Sequence, residues 1–377
     1  MDSRLAIAAI GVVAIIAYGS LFPFDFHSLE IPEGPWNALL STWQFPADRP
    51  DNVSNFVLYL PLGFLLVRAW RAGPRWASVP LAAAAGIALS MCMEMAQLYD
   101  DGRVTQMGDV YANGAGALAG AIAAAILRRD LEPGARVRML TLEITWRPFA
   151  ALLMICWLAN RLFPYFPAIG FHVSDFHAAF TAPGLLEVFK QTAFWLALGV
   201  LLESMLGVGR SRAVLALIIA VVLIARVFVI DGPISATETG GAVLAALAWL
   251  ALSRAAHSRI IVAALFVALV ILETLAPFHF SASPRTFGWI PFASFIAGPR
   301  ESGVRVFFEK AFTYGALVWL PVRAGTSFAA AAIFGVALEF ALRQAQVFLP
   351  GRSAEITDAV MVLMLAALMK LVREPLP

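Results

Sequence analysis

A polar pattern with one fixed spacing occurs in two distant parts of the chain. In each copy a glutamine, an arginine and an aspartate follow one another at intervals of six residues, between stretches of apolar sequence. The residues are Gln97, Arg103 and Asp109 in the first copy and Gln346, Arg352 and Asp358 in the second. A guanidinium can form two parallel hydrogen bonds with a carboxylate or with a phosphate. The pattern therefore suits either an internal ion pair or the recognition of an anionic ligand.

Two further polar residues extend the first copy. Glu94 precedes Gln97 by three residues and Asn113 follows Asp109 by four, so each pair shares a helix face. Asp109 begins its helix, where free backbone N–H groups favour an acidic cap. Glu94 lies at least one turn inside an apolar helix, where an ionisable residue is costly and indicates a functional site. Arg103 is its candidate partner.

Under an enzymatic function, Asp100 and Asp101 of "YDDGR" could hold a divalent ion together with phosphate, but no other residues predict a metal site or a cofactor. Cys92 and Cys156 fall inside predicted helices, far from any metal-type spacing. His172 and His177, in a predicted loop, are the only histidines with a metal-like spacing. Neither a Ser–His nor a Cys–His constellation is present. We therefore expect no metal and no cofactor.

Long apolar helices must position these polar residues. Of 377 residues, 60% are hydrophobic and 14% are charged, and the mean hydropathy is +0.80. Apolar runs of roughly 17 to 25 residues, enough to cross about 30 Å of hydrocarbon, recur from Leu5–Leu21 to the last run at 355–372. We predict an all-α polytopic membrane protein with about twelve transmembrane helices. The net charge of +2 gives no case for nucleic-acid binding.

Basic residues mark every second loop or end of this predicted bundle. The residues are Arg68, Arg71, Arg75, Arg128, Arg129, Arg136, Arg138, Arg147, Arg210, Arg212, Arg254, Arg259, Arg323, Lys370 and Arg373. A loop of the opposite parity, Phe22 to Asp51, carries five acidic residues against Arg49 alone. By the positive-inside rule the basic loops are cytoplasmic, so both termini are predicted to face the cytoplasm.

Self-comparison of the sequence predicts three repeats. The stretch "QVFLPGRSAEITDAVM" from Gln346 aligns without a gap with "RVFVIDGPISATETGG" from Arg226, and "VFFEKAF" aligns with "VFKQTAF". The motifs "FPFDF", "FPYF" and "APFHF" mark the exit from the first helix of each repeat. Because four crossings return a chain to its starting side, the repeats are parallel. The predicted boundaries are residues 1–130, 146–255 and 256–373.

These residues resemble a known family. The stretch "DNVSNFVLYLPLGFLL" from Asp51, followed by Glu94 and Gln97, then Gly102-Arg103, Asp109 and Asn113, is similar to the VanZ-like family of bacterial membrane proteins. The similarity runs from Phe22 to Leu127, and a partial second one runs from Pro277 to Leu371. It implies a bacterial inner (cytoplasmic) membrane, a cell-envelope setting and a link to teicoplanin, a glycopeptide antibiotic, through resistance. It implies no established reaction.

The later repeats depart from this pattern. In the third repeat Arg343 stands where the first has Glu94, although Glu339 lies on nearly the same helix face as Gln346, and Val362 replaces Asn113. The middle repeat has Arg226, Gly232 and Glu238 at the three motif positions. The first repeat is therefore the expected host of a single centre. Lys310 is expected to extend towards the membrane interface.

Three functions remain open from the sequence. The protein could bind or move an anionic envelope lipid or lipid-linked precursor at the outer leaflet, with Arg103 and Arg352 contacting phosphate. It could instead be an enzyme on a lipid-linked substrate, with Glu94 or Asp109 as general base. In the third case the motif only locks helix hairpins, because its charges neutralise one another. The candidate binding residues are Glu94, Gln97, Arg103, Asp109, Asn113, Gln346, Arg352 and Asp358. The sequence indicates no oligomeric state.

Overall fold

The structure, a computed structural model, is almost entirely helical. It describes residues 3–22, 24–28, 30–43, 49–70, 75–100, 104–126, 134–139, 142–162, 184–228, 236–294 and 300–375. These residues form thirteen helices and one short antiparallel β hairpin. The helices are α1 (Ser3–Leu21), α2 (Gly34–Ser41), α3 (Arg49–Ala69), α4 (Arg75–Gln97), α5 (Met107–Ile126), α6 (Pro148–Leu162), α7 (Leu185–Leu206), α8 (Val208–Phe228), α9 (Ala236–Leu252), α10 (Ser258–Leu275), α11 (Arg300–Arg323), α12 (Phe328–Gln346) and α13 (Thr357–Leu371). The strands are β1 (Arg136–Met139) and β2 (Leu142–Thr145).

The helices identify a membrane protein. Six stretches within the described part of the chain are long and apolar enough to cross a bilayer. They are Asn52–Ala69, Ala77–Gln97, Met107–Ile126, Leu185–Leu206, Ser258–Leu275 and Phe328–Gln346. Three shorter apolar helices are Leu5–Leu21, Pro148–Leu162 and Ala236–Leu252. The all-α class is confirmed, while the number of crossings stays a prediction.

The chain divides into two compact units. Unit 1 comprises Met1–Asp130 with Phe295–Val304, and unit 2 comprises Leu131–Ser294 with Arg305–Pro377. Unit 2 thus spans the boundary that the sequence analysis places at residue 255. The β hairpin, which the sequence analysis did not predict, lies in unit 2 just before α6.

In unit 1, α3 and α5 pack backbone against backbone. A Cβ added at Gly116 would stand 2.1 Å from the carbonyl oxygen of Phe56, and one at Gly120 would stand 1.9 Å from that of Leu60. Only glycine permits such an approach. A small apolar cluster that includes Ile16, Tyr59 and Ala117 packs beside this contact.

In unit 2, α7 is the central helix. Its residues from Ala193 to Leu202 are all buried, although few helices of a membrane protein bury every face. Large aromatic side chains surround it, including the tilted Trp157–Trp195 pair with ring centroids 4.6 Å apart. Gly199 lets the ring of Trp249 lie directly against α7. The core of unit 2 is therefore built around the enclosed middle of one helix, from Ala193 to Leu202.

Candidate functional site

Four of the predicted residues of unit 1 are buried where α4 ends and α5 begins. We call them the α4–α5 cluster: Glu94, Gln97, Asp109 and Asn113. Gln97 is the last residue of α4, and Asp109 lies in the first turn of α5. Arg103, the predicted partner of Glu94, lies outside the described residues.

Glu94 anchors the segment that leads into α5. Its carboxylate Oε2 accepts a hydrogen bond from the backbone N–H of Gln106 at 3.0 Å. Its backbone carbonyl accepts another from the hydroxyl of Thr105 at 3.2 Å. Both contacts hold the connection between α4 and α5 over the end of α4. The acidic side chain therefore lies at the closed end of a helix hairpin.

The amide side chains of the cluster make interhelical contacts. The Nε2 of Gln97 donates to the carbonyl of Ser20, near the end of α1, at 2.7 Å. The Nδ2 of Asn113 donates to the hydroxyl of Ser90 at 2.8 Å. Within the described residues, the buried Oδ1 of Asn113 and Nδ2 of Asn55 have no hydrogen-bond partner. Unsatisfied buried polar atoms are uncommon and indicate a place for a water or a ligand group.

The second copy of the motif lies in unit 2, in what we call the α12–α13 cluster: Lys310, Glu339, Arg343, Gln346 and Asp358. Asp358 accepts from Lys310 Nζ at 2.6 Å and pairs with Arg343 Nε at 2.6 Å. Arg343 also contacts Glu339 at 3.3 Å and donates to Gln346 Oε1 at 2.7 Å. The expectation that Lys310 extends to the interface is wrong, because Asp358 holds its ammonium group.

Arg352 caps a helix end in unit 2. Its Nε and Nη2 donate to the carbonyl of Ala276 at 3.1 and 2.8 Å, immediately beyond α10. Arg285, which the sequence analysis did not select, donates to the carbonyls of Gln346, Leu349 and Arg352. Arg352 was predicted to contact a phosphate, but its Nε and Nη2 donate to a backbone carbonyl instead.

Two more cations of unit 2 were missed, the buried Arg161 and the half-buried Lys190. Arg161 Nη1 pairs with Glu238 Oε1 at 2.9 Å, and Lys190 Nζ lies 2.5 Å from both Glu273 and Glu309. The signal that selected Glu94, an ionisable residue in an apolar helix, applies equally to Arg161 and Lys190. Glu238 occupies the first turn of α9, as Asp109 and Asp358 do in α5 and α13.

The hairpin contacts of the two units follow the same scheme. Gln97 and Gln346 each end a helix and donate to the carbonyl of the residue before the last of α1 or α10. Two residues further on, the carbonyl of Tyr99 accepts from His27 N at 2.8 Å, and that of Phe348 accepts from Ser281 N at 2.7 Å. The motif glutamines therefore have one structural role in both units.

In the described part of the chain, no group of three or more histidine, cysteine, aspartate and glutamate residues is arranged to hold a metal ion. Asp101, His172 and His177 lie outside that part.

The comparisons with known proteins concern unit 1. The VanZ/LLP1 family matches residues 7–128, which include the whole α4–α5 cluster. No curated protein and no solved structure matches the chain significantly. The bounds of the match are close to those of the predicted first repeat, residues 1–130. The matched residues include the glycine contacts between α3 and α5 and the buried acidic residues of the α4–α5 hairpin. Over residues 7–128 the chain is therefore similar to the VanZ-like family, and this match supports a VanZ-like assignment for that part of the chain.

Proposed function

We propose that this protein of the bacterial inner membrane binds or moves an anionic envelope lipid or lipid-linked precursor at the outer leaflet. The α4–α5 cluster is the binding site. The observation that carries the proposal is two unsatisfied buried amide atoms, Asn113 Oδ1 in α5 and Asn55 Nδ2 in α3, the helix that packs against α5, together with the buried Glu94 and Asp109. A polar head group would supply the partners that these atoms lack among the described residues.

Arg103 is the residue that we assign to the phosphate of the ligand. It stands between two buried carboxylates in sequence, and a guanidinium can bind a phosphate with two hydrogen bonds. The similarity of residues 7–128 to the VanZ/LLP1 family supports a cell-envelope setting, and we extend it to a role in resistance to teicoplanin.

We assign a different role to the α12–α13 cluster. There Asp358 has two cationic partners, Gln346 has partners for both its amide atoms, and Arg352 binds a backbone carbonyl. Although the buried Oε1 of Glu339 has no hydrogen-bond partner among the described residues, the contacts of these three motif residues favour the alternative function, a lock that holds a helix hairpin together. Unit 1 is therefore proposed to bind and the α12–α13 cluster to stabilise.

We also propose that the chain consists of three parallel four-helix repeats, with about twelve crossings and both termini in the cytoplasm. The shared contacts of Gln97 and Gln346 support the repeats, as do the acidic residues in the first turns of α5, α9 and α13. Arg147, Arg259 and Arg323, all near one set of helix ends in unit 2, support the topology.

Matched substitutions in the two copies of the motif test the assignment. Arg103→Lys and Arg352→Lys each keep the charge and remove the planar fork. We expect Arg103→Lys to reduce retention of a polyprenyl phosphate at least tenfold, without changing the thermal unfolding midpoint. We expect Arg352→Lys to lower the midpoint and to leave retention intact. Native mass spectrometry and thermal unfolding of the full chain in detergent measure both.

A cellular assay links the result to the envelope. Cells that express the wild-type chain should tolerate more teicoplanin than cells that express Arg103→Lys at the same protein level. If both variants lower the midpoint equally and neither changes lipid retention, the two copies are locks and the binding proposal fails.

A further inference from the structure

An apolar groove runs along α10 in unit 2. It encloses about 650 Å³ and is lined by Ile260, Ala264, Val267 and Ile271 of α10 and by Pro321 and Ala324 at the end of α11. α10 is a candidate membrane span with a mean hydropathy of 2.2. A groove on such a helix faces hydrocarbon, so its natural occupant is an acyl chain.

The length of the groove matches one leaflet. Ile260 and Ile271 are separated by eleven residues, which at 1.5 Å per residue correspond to about 16 Å along the helix axis. Half of the hydrocarbon core is about 15 Å. An acyl chain that fills the groove would therefore place its head group at the beginning of α10.

Five charged residues gather at that same end of unit 2. We call them the arginine cluster: Arg147, Arg259, Arg323, Glu203 and Glu374. Arg259 directly precedes the groove residue Ile260 and donates to Glu203 Oε1 at 2.7 Å. Arg147 lies 3.8 Å from Glu374, whose other carboxylate oxygen accepts from Phe149 N–H. Three cations face two carboxylates, which leaves one positive charge in excess.

Arg323 forms no close ion pair within the described residues, although Glu374 and Glu203 of the same cluster attract it at longer range. It is 7% exposed, and its Nε and Nη1 have no hydrogen-bond partner in the described part of the chain. Its guanidinium carbon stands 5.8 Å from the centre of the Trp319 ring, which is no substitute for an anion. A buried guanidinium without a close counterion is strongly unfavourable, and an additional anion would relieve this.

We propose that unit 2 binds an anionic phospholipid, with one acyl chain in the α10 groove and the phosphate at Arg323 and Arg259. The site is separate from the α4–α5 cluster and does not depend on the function proposed for it. It lies at the opposite end of α10 from Thr274, whose carbonyl binds Gln346. Under the proposed topology the lipid belongs to the cytoplasmic leaflet.

The test compares the full chain in nanodiscs of phosphatidylcholine with and without phosphatidylglycerol. We expect phosphatidylglycerol to raise the thermal unfolding midpoint of the wild type and to stay bound in native mass spectra. Arg323→Met should abolish this rise. In phosphatidylcholine alone its midpoint should equal or exceed that of the wild type, because a buried charge without a close counterion has been removed.

Two further variants separate the groove from the charge. Ala264→Phe, at an exposed position of the groove, should reduce phosphatidylglycerol retention while all five charges remain. Arg352→Met, at the opposite end of α10, should lower the midpoint in both lipids and keep the rise. A rise that survives Arg323→Met overturns the proposal. Inorganic phosphate that reproduces the rise in phosphatidylcholine would assign the site to a free anion and would overturn it too.

Discussion

Buried charges in unit 2 are paired across helices that are far apart in sequence. Asp358 of α13 is held by Lys310 of α11 and Arg343 of α12, and its own side chain is almost completely buried. Such a pair adds little net stability over apolar residues, because both ions lose their hydration. Loss of one partner is different, since the other charge then stays buried alone. The α12–α13 cluster therefore specifies which helices pack together.

Asp358→Asn tests this at the level of one residue. The substitution keeps the shape of the side chain and removes the counterion of Lys310 and Arg343. We expect a loss of about 3–5 kcal/mol in the free energy of unfolding. Glu143→Gln, an exposed carboxylate in β2, is the control and should change it by less than about 0.5 kcal/mol. Denaturant unfolding of the purified chain, followed by tryptophan fluorescence, gives both values, and equal effects would contradict the pairing.

At the scale of elements, the α3–α5 contact decides the geometry of unit 1. Gly63 of α3 meets the carbonyl of Ala117, while Gly116 and Gly120 of α5 meet carbonyls of α3. Backbone contact of this kind provides close van der Waals packing, which drives association of helices in lipid. It also fixes where Asn113, one turn before Ala117, faces its neighbours.

Gly120→Ala should separate α3 from α5. The added methyl group would stand 1.9 Å from the carbonyl oxygen of Leu60, so the helices must move apart. We expect a loss of at least about 2 kcal/mol in the free energy of unfolding. Gly11→Ala in α1 meets nothing within 4 Å and should be neutral or stabilise the helix by up to about 1 kcal/mol. If both alanine variants unfold like the wild type, α3 and α5 are not in backbone contact.

At the scale of the whole molecule, Glu374 and Pro375, which follow α13, connect the carboxyl-terminal end of unit 2 to α6 and α11. The carboxylate of Glu374 accepts from the backbone N–H of Phe149 at 2.9 Å and from Trp319 Nε1 at 3.2 Å. Arg147 donates to the carbonyl of Pro375 at 2.7 Å. Burial raises the pKa of Glu374 above its usual value of 4.5, although these hydrogen bonds and Arg147 oppose the shift. The stability that these contacts of Glu374 contribute therefore depends on pH.

The direction of this dependence follows from the raised pKa. A carboxyl whose pKa is higher in the folded protein contributes stability that is fully present below its unfolded pKa of about 4.5 and is lost as the pH rises through the folded pKa. We expect Glu374→Gln to remove this loss. Thermal unfolding midpoints of the wild type and the variant, measured upward from about pH 4, should converge at low pH and separate as the pH rises. Parallel curves would contradict the shift.

The sequence by itself determined the membrane class, the similarity of the first third to the VanZ-like family and the helix positions of Gln97, Asp109, Gln346 and Asp358. Hydrophobic runs and helical spacing are local properties, so the positions of these residues near helix ends could be predicted from them.

Only the tertiary structure decided which charged groups meet. Lys310 reaches Asp358, Arg161 reaches Glu238 and Arg352 reaches the carbonyl of Ala276, in each case across at least 48 residues of chain. Helical periodicity gives the face on which a side chain lies, but it does not give the helix that covers that face. The long side chains of lysine and arginine can turn towards any acceptor in reach, and only the packing of the helices selects one.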